Sequence, residues 1–182
     1  MVKTIAEMGE TKNLNIMNAT LAECAQLQRI AESWVEKREL EGENVPTNYI
    51  HKCLTNADLP PIPDARQEYF RLKSITLKDS GKQLGFIELY FGYPTKETIW
   101  IANLVLAKEY QKNGYGQEVI EYISKEASKA EFKKVGIGVY LKNWSALRFW
   151  TKSGFDQISG IYGDKVYSEN TFALIGLEKN LS

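Results

Sequence analysis

Between Ile99 and Leu141 the chain reads as an apolar strand, a glycine-bearing turn, an amphipathic helix and a second apolar strand. Two strands joined through a helix are expected to lie parallel and adjacent, with a right-handed crossover. This unit constrains the fold more than any other stretch. Its first strand, Ile99 to Leu106, leads into the turn Gln111-Lys112-Asn113-Gly114-Tyr115-Gly116, and the helix continues to Lys129. A glycine turn entering a helix gathers unpaired backbone N–H groups at the positive end of the helix dipole, a combination that suits phosphate. The second strand, Lys133 to Leu141, is interrupted by Gly136 and Gly138. Glycine inside a strand marks a bulge or the close approach of another backbone or a ligand. A ligand at the carboxyl end of the first strand is expected to touch the second as well.

The remaining residues narrow the class. At 182 residues the chain is read as a single domain, 1–182, long enough to bury roughly 70% of its unfolded surface. The 23 basic residues balance the 23 acidic ones, so no global field favours nucleic acid or an anionic membrane. Cys24 and Cys53 have no C-x-x-C or histidine-rich spacing, which points to reduced thiols in a cytoplasmic protein and to no metal. No run approaches the length of a membrane span.

Leu14 to Met17 reads as a short strand, and Thr20 with Glu23 forms a capping box at the start of a helix. That helix places Leu21, Cys24, Leu27, Ala31 and Trp34 on one face. Its far end carries Glu32, Glu36, Glu39, Glu41 and Glu43 against Lys37 and Arg38, either a solvated helix end or an attractant for a cationic substrate. After Gly42 a shorter helix from Pro46 or Thr47 turns Tyr49, Ile50, Cys53 and Leu54 inward, and His51 reads as a surface or packing residue. Pro60, Pro61 and Pro63 impose an extended functional loop. Residues 68–78 and 83–92 then form a hairpin around Asp79-Ser80-Gly81-Lys82. On its second strand Phe86, Glu88 and Tyr90 share a face. Glu88 is either a cross-strand partner of Arg71 or Lys73, or a carboxylate on a pocket floor with a raised pKa. Ser145 to Lys152 forms a helix stopped by Gly154. A final strand pair, Phe155 to Ile161 and Asn170 to Leu177, turns at Tyr162-Gly163.

The turn is not a P-loop, because no Gly-Lys-Ser/Thr follows, and Val119 replaces the third glycine of the dinucleotide fingerprint. Gln111-x-x-Gly114-x-Gly116 after one strand, with Asn143-x-x-Ala146-x-x-Phe149-Trp150-x-x-x-Gly154-Phe155 after the next, resembles the GCN5-related N-acetyltransferases (GNAT). The resemblance covers about residues 14–178. It implies an α+β fold with a mixed, splayed sheet of about seven strands flanked by about four helices, and acetyl-CoA as co-substrate. By the same resemblance Leu104, Val105 and Leu106 pair with pantetheine, Gln111 to Gly116 with Gln117 wrap the pyrophosphate, and Lys112 adds charge. Asn143 bonds the pantetheine arm, Ala146 belongs to the same motif, and Phe149 packs the distal end of the cofactor. The implied chemistry is attack of a neutral amine on the thioester, with the Leu106 N–H stabilising the oxyanion.

Two positions depart from the family pattern. Trp150 stands where many relatives place a general-acid tyrosine, and Gly138 stands where enzymes acting on ribosomal-protein N-termini often have glutamate. Tyr162 and Tyr167 are substitute acids, and Glu88 is the base, acting through water. The expected partner is a small-molecule or protein amine, and a homodimer is compatible with the chain. The alternatives are a non-catalytic acyl-CoA-binding domain and, more remotely, a nucleotide-binding module.

Overall fold

The computed structural model describes residues 3–181. Eight strands form one sheet: β1 (Met8–Glu10), β2 (Leu14–Asn18), β3 (Phe70–Leu77), β4 (Gln83–Phe91), β5 (Thr98–Leu106), β6 (Lys134–Tyr140), β7 (Gln157–Gly163) and β8 (Ala173–Asn180), in the order β1-β2-β3-β4-β5-β6-β8-β7. The helices are α1 (Cys24–Glu32), α2 (Lys37–Glu41), α3 (Tyr49–Asn56), α4 (Tyr115–Lys129) and α5 (Trp144–Lys152). The β5–β6 pair is parallel, as the helical crossover requires, whereas β4–β5 and β6–β8 are antiparallel. The eighth strand and fifth helix beyond the sequence expectation are the three-residue β1 and the break after Glu32 that separates α1 from α2.

Both faces of the sheet are covered. Val119, Ile120 and Ile123 of α4 and Trp150 of α5 pack on Ile87, Leu89, Ile99, Ile101 and Ile137. On the opposite face Leu27, Ile30 and Ala31 of α1 and Ile50 and Cys53 of α3 pack on Leu72, Phe86 and Tyr90. Every residue of β4 is buried, so it is the central strand of the fold. The capping box of Thr20 and Glu23 forms, with the Thr20 N–H donating to Glu23 Oε2 at 2.8 Å. Leu21, expected on the buried face of the first helix, is exposed, because the chain enters through a 3-10 turn whose period differs from that of α1. Trp34 lies beyond the end of α1.

Two irregularities shape the centre of the sheet. Glu88 pairs with Asn103 and Leu89 with Ile101, so Ala102 is an extra residue bulged out of β5. In an unbroken strand Asn103 would share a face with Ile99 and Ile101. The bulge turns it to the opposite face, where Glu88 lies. The second irregularity follows at once: β5 and β6 pair only from Thr98↔Lys134 to Ile101↔Ile137, although β5 continues to Leu106 and β6 to Tyr140. Past the bulge the two strands splay apart.

At Gly136 the close approach is made by a side chain of the neighbouring strand. A Cβ on Gly136 would lie 3.0 Å from Trp100 Cε3, and one on Gly138 would lie 3.4 Å from Trp100 Cζ2. Gly136 makes room for the Trp100 indole, whereas a Cβ on Gly138 would make only ordinary contact with it; the indole also meets the Tyr93 ring edge-on at 5.2 Å. The last hairpin is corrected too: Tyr162 and Gly163 belong to β7, and the connection to β8 is residues 164–172.

Lys73, on β3, is 0% exposed. Its Nζ donates to Ala6 O at 2.7 Å, Glu7 O at 3.0 Å and Asn18 Oδ1 at 2.9 Å, which ties the segment before β1 to the sheet. It is therefore no partner of Glu88, and neither is Arg71, whose Nη1 donates to the Glu68 and Phe70 carbonyls.

Candidate active site

The site is built where β5 leaves β6. The Ala107 N–H bonds to Leu84 O at 2.8 Å, which sets the antiparallel alternation between β4 and β5. Ala107, Val105 and Asn103 direct their backbone groups to β4, so Leu104 and Leu106 direct theirs to the side from which β6 has diverged. Two of the three residues expected to pair with pantetheine thus offer backbone groups there, and Val105 does not. Gln111 Nε2 donates to Leu106 O at 2.9 Å, leaving the Leu106 N–H as the donor aimed at the cleft.

The turn into α4 follows. Lys112 has φ 61°, a left-handed backbone rare for a residue with a side chain, and Gly114 has φ 84°. Left-handed residues in a turn gather successive N–H groups into an anion-binding concavity. A Cβ on Gly114 would meet nothing within 4 Å, so the backbone is open there. Gly116 is different: a Cβ would lie 3.1 Å from Phe149 Cε2 and Cζ, so this glycine lets α5 close on α4. Asn113 Nδ2 bonds Glu109 O at 3.3 Å. Gln117 is held by Glu121 and by the Ser153 hydroxyl, at 3.1 and 2.8 Å, and Tyr115 packs against the core. The groups the turn leaves open are therefore its backbone at Gly114 and the exposed Lys112 rather than these side chains.

Asn143 is the N-cap of α5, its Oδ1 accepting from the Ala146 N–H at 3.0 Å. That occupies one side-chain oxygen and leaves the Asn143 amide hydrogens for a ligand. Trp150 is buried, its ring edge-on to Phe149 and to Phe155 at 5.0 Å each. The position of the usual tyrosine is occupied by core.

On the other side of the bulge lies a polar cluster. Glu88, 4% exposed, accepts from the Tyr49 hydroxyl through Oε1 and from Asn103 Nδ2 through Oε2 at 3.3 Å. Asn103 Nδ2 also donates to Tyr49 Oη at 2.7 Å. Burial pushes the Glu88 carboxyl above the usual carboxylate range, against the hydrogen bonds from Tyr49, Asn103 and Cys53. Burial, and then the Glu88 charge, push both the Tyr49 phenol and the Cys53 thiol up. A carboxylate between aromatic neighbours is visible in the sequence, but its partners are not. Tyr49 reads there as a packing residue, and Asn103 as one polar residue in an apolar strand, the only available signal.

Tyr162 does not join this cluster: its hydroxyl lies over Gly160, and the residue is 54% exposed. Tyr167 is exposed as well. In the acidic rim Lys37 Nζ lies 2.8 Å from Glu43 and 3.4 Å from Glu41, and Lys108 Nζ lies 3.9 Å from Glu36, so three of the five carboxylates already have a cation. His51 is exposed.

The profile of the acetyltransferase (GNAT) family matches residues 34–155, which contain β5, the α4 turn, Asn143 and Glu88. The chain belongs to this family. Solved GNAT-type structures share its fold. A probable GNAT-family acetyltransferase from Chromobacterium violaceum superposes with a TM-score of 0.76 at 12% identity, covering 99% of this chain and 90% of that one. An acetyltransferase from Thermus thermophilus gives 0.70 at 18% identity, over 92% and 97% of the two chains. Spermidine N-acetyltransferase from Vibrio cholerae, solved with CoA and spermine, gives 0.70 at 12% identity, over 94% and 97%. No curated protein matches in sequence. Acyl-CoA-dependent acetyl transfer is the activity this membership supports, and the divergent β5 edge followed by the α4 turn fits such a co-substrate.

Proposed function

We propose that the protein is an N-acetyltransferase that moves the acetyl group of acetyl-CoA to a primary amine of a small molecule or to an exposed protein amine. The observation that supports this reading is the bulge at Ala102, on either side of which the two halves of such a reaction would lie. On one side Leu104 and Leu106 turn backbone groups toward the β5–β6 cleft, as an extended pantetheine arm requires. On the other, Asn103 turns to a buried carboxylate. When bound, acetyl-CoA supplies an activated acyl group. Leu104 and Leu106 orient it, the open turn at Gly114 and Lys112 takes the pyrophosphate, and the Asn143 amide holds the arm. The Leu106 N–H faces the oxyanion. Glu88 accepts the proton of the amine, its basicity raised by burial.

Neighbours of this fold include spermidine and ribosomal-protein-S18-alanine N-acetyltransferases, which makes both a polyamine and a peptide amine worth offering. Glycine at 138 argues against the ribosomal-protein class. Incubation with acetyl-CoA and spermidine, small monoamines or alanyl peptides, with thiol release monitored, tests the reading. Turnover that collapses in Glu88→Gln is expected. Tight CoA binding with no turnover of any amine would favour the non-catalytic reading instead.

A further inference from the structure

We propose that Tyr49 is a catalytic proton relay, its hydroxyl taking the proton of the acceptor ammonium while passing its own to Glu88. The inference rests on the reading of Glu88 as base and changes the way that base is reached.

Glu88 is 4% exposed, and both its carboxylate oxygens already accept hydrogen bonds, one from the Tyr49 hydroxyl and one from Asn103. At that exposure the carboxylate is largely closed to an incoming ammonium, and the Tyr49 hydroxyl is its hydrogen-bonded neighbour. The phenol oxygen is better placed. It has one hydrogen and two lone pairs; the hydrogen goes to Glu88, and one lone pair accepts from Asn103 Nδ2 at 2.7 Å. The second lone pair has no hydrogen-bond partner among the described residues and is left to accept from an amine. Asn103 is the residue next to Leu104, so the Tyr49 oxygen lies beside the strand that offers its backbone to the acyl donor.

Tyr49 is held there by two kinds of contact. Its helix is anchored through buried Ile50 and Cys53, and Gln28 bonds the Ile50 N–H at 2.9 Å and Pro46 O at 2.8 Å. The phenol ring also packs on Phe86 at 6.4 Å. Because burial and the Glu88 charge oppose ionisation of the phenol, tyrosinate is not an intermediate, and the two protons move together. One proton passes from the ammonium to the Tyr49 oxygen as the Tyr49 proton passes to Glu88. The products are a neutral amine, a neutral tyrosine and a protonated Glu88. The amine then forms the C–N bond as the C–S bond breaks. Its second proton neutralises the departing thiolate, and Glu88 returns its proton to solvent.

The test is Tyr49→Phe in the full chain, assayed with acetyl-CoA and spermidine or an alanyl peptide across pH, beside Glu88→Gln. The relay predicts a fall in kcat of about 100-fold in Tyr49→Phe, an altered acidic limb of the pH profile and unchanged calorimetric affinity for CoA. It also predicts a higher titration midpoint for Glu88, followed by carbon NMR of labelled glutamate, because one bond to the charged form is lost. This readout needs no acceptor. If Tyr49→Phe keeps the wild-type kcat and pH profile while Glu88→Gln is inactive, the relay is overturned and Glu88 stands as the base. If Glu88→Gln is itself fully active, the base assignment falls and the relay with it. An unmoved Glu88 midpoint in Tyr49→Phe overturns the contact on which the relay depends.

Discussion

The two glycines of the α4 turn give a crossed experiment, since the same substitution acts by different physics at each. Gly114 has φ 84° and open space where a Cβ would stand. Alanine there clashes with nothing but must adopt a left-handed backbone at about 1–2 kcal/mol. In a chain of this length each kcal/mol is worth roughly 2–4 °C in Tm, so a loss of about 2–8 °C is expected. The methyl also projects over the amides proposed to hold the pyrophosphate, and a penalty of about 1.4 kcal/mol there lowers CoA affinity about tenfold. Gly116 sits in the first turn of α4, where alanine gains up to about 1 kcal/mol of helix propensity. Its Cβ would be 3.1 Å from the Phe149 ring, a contact relieved by a shift of a few tenths of an ångström. Gly116→Ala is therefore expected to unfold within about 2 °C of wild type and to bind CoA nearly as well. Thermal unfolding with calorimetric titration of CoA measures both. Gly114→Ala that loses stability yet binds CoA like wild type would refute the placement of phosphate over Gly114.

Three other perturbations report on the frame of the site. Lys73 is held by neutral acceptors with Glu7, Glu126 and Arg71 as charged neighbours, and burial pushes its pKa down to about 8 from an ordinary 10.5. Between those values the unfolded chain keeps the proton that the folded one releases, so stability from this group rises with pH from 8 to 10.5 and is flat below. The stability gap between wild type and Lys73→Met, from urea unfolding, should shift in favour of wild type across that window, and a constant gap would refute the burial of a charged lysine. Glu118 accepts from Thr11 and from Asn13 N and Nδ2, joining α4 to the β1–β2 turn. Burial raises its pKa, but those bonds more than offset it and hold it below 4.5, so its contribution is present above that pH and lost as pH falls through the folded value. Glu118→Ala should cost about 1–3 kcal/mol at pH 7 and less in acid, measured by denaturant melts. Trp150→Ala should cost about 3–5 kcal/mol, because its ring fills the space between Phe149 and Phe155. A loss below about 1 kcal/mol would mean the indole is not core.

What the sequence makes legible is local. The β5–α4–β6 unit, the capping box of Thr20 and Glu23 and the shared face of Phe86, Glu88 and Tyr90 follow from short-range spacings, and the structure has all three. Asn103 shows where such reading stops. Strand alternation assigns it to the Ile99 and Ile101 face, and the bulge at Ala102 that reverses it carries no glycine or proline to announce it. Tyr49 looks like one more apolar position of a short helix, since only the docking of α3 on β4 brings its hydroxyl to Glu88. Gly136 is visible, but the Trp100 ring that explains it lies on another strand. Strand neighbourhood pairs Lys73 with Glu88, whereas the carbonyls that bind it belong to a segment 66 and 67 residues away.

The splay of β5 from β6 also has a consequence for the energetics of the whole chain. A sheet interrupted at its centre leaves the peptide groups of Leu104 and the Leu106 N–H without a strand partner, so a ligand that binds them only in the folded state adds directly to the free energy of folding. At a hundredfold excess over its dissociation constant such a ligand contributes about 2.7 kcal/mol. The apparent melting temperature then becomes a gauge of acyl-CoA concentration, and the abundance of the folded protein becomes linked to the supply of its own co-substrate.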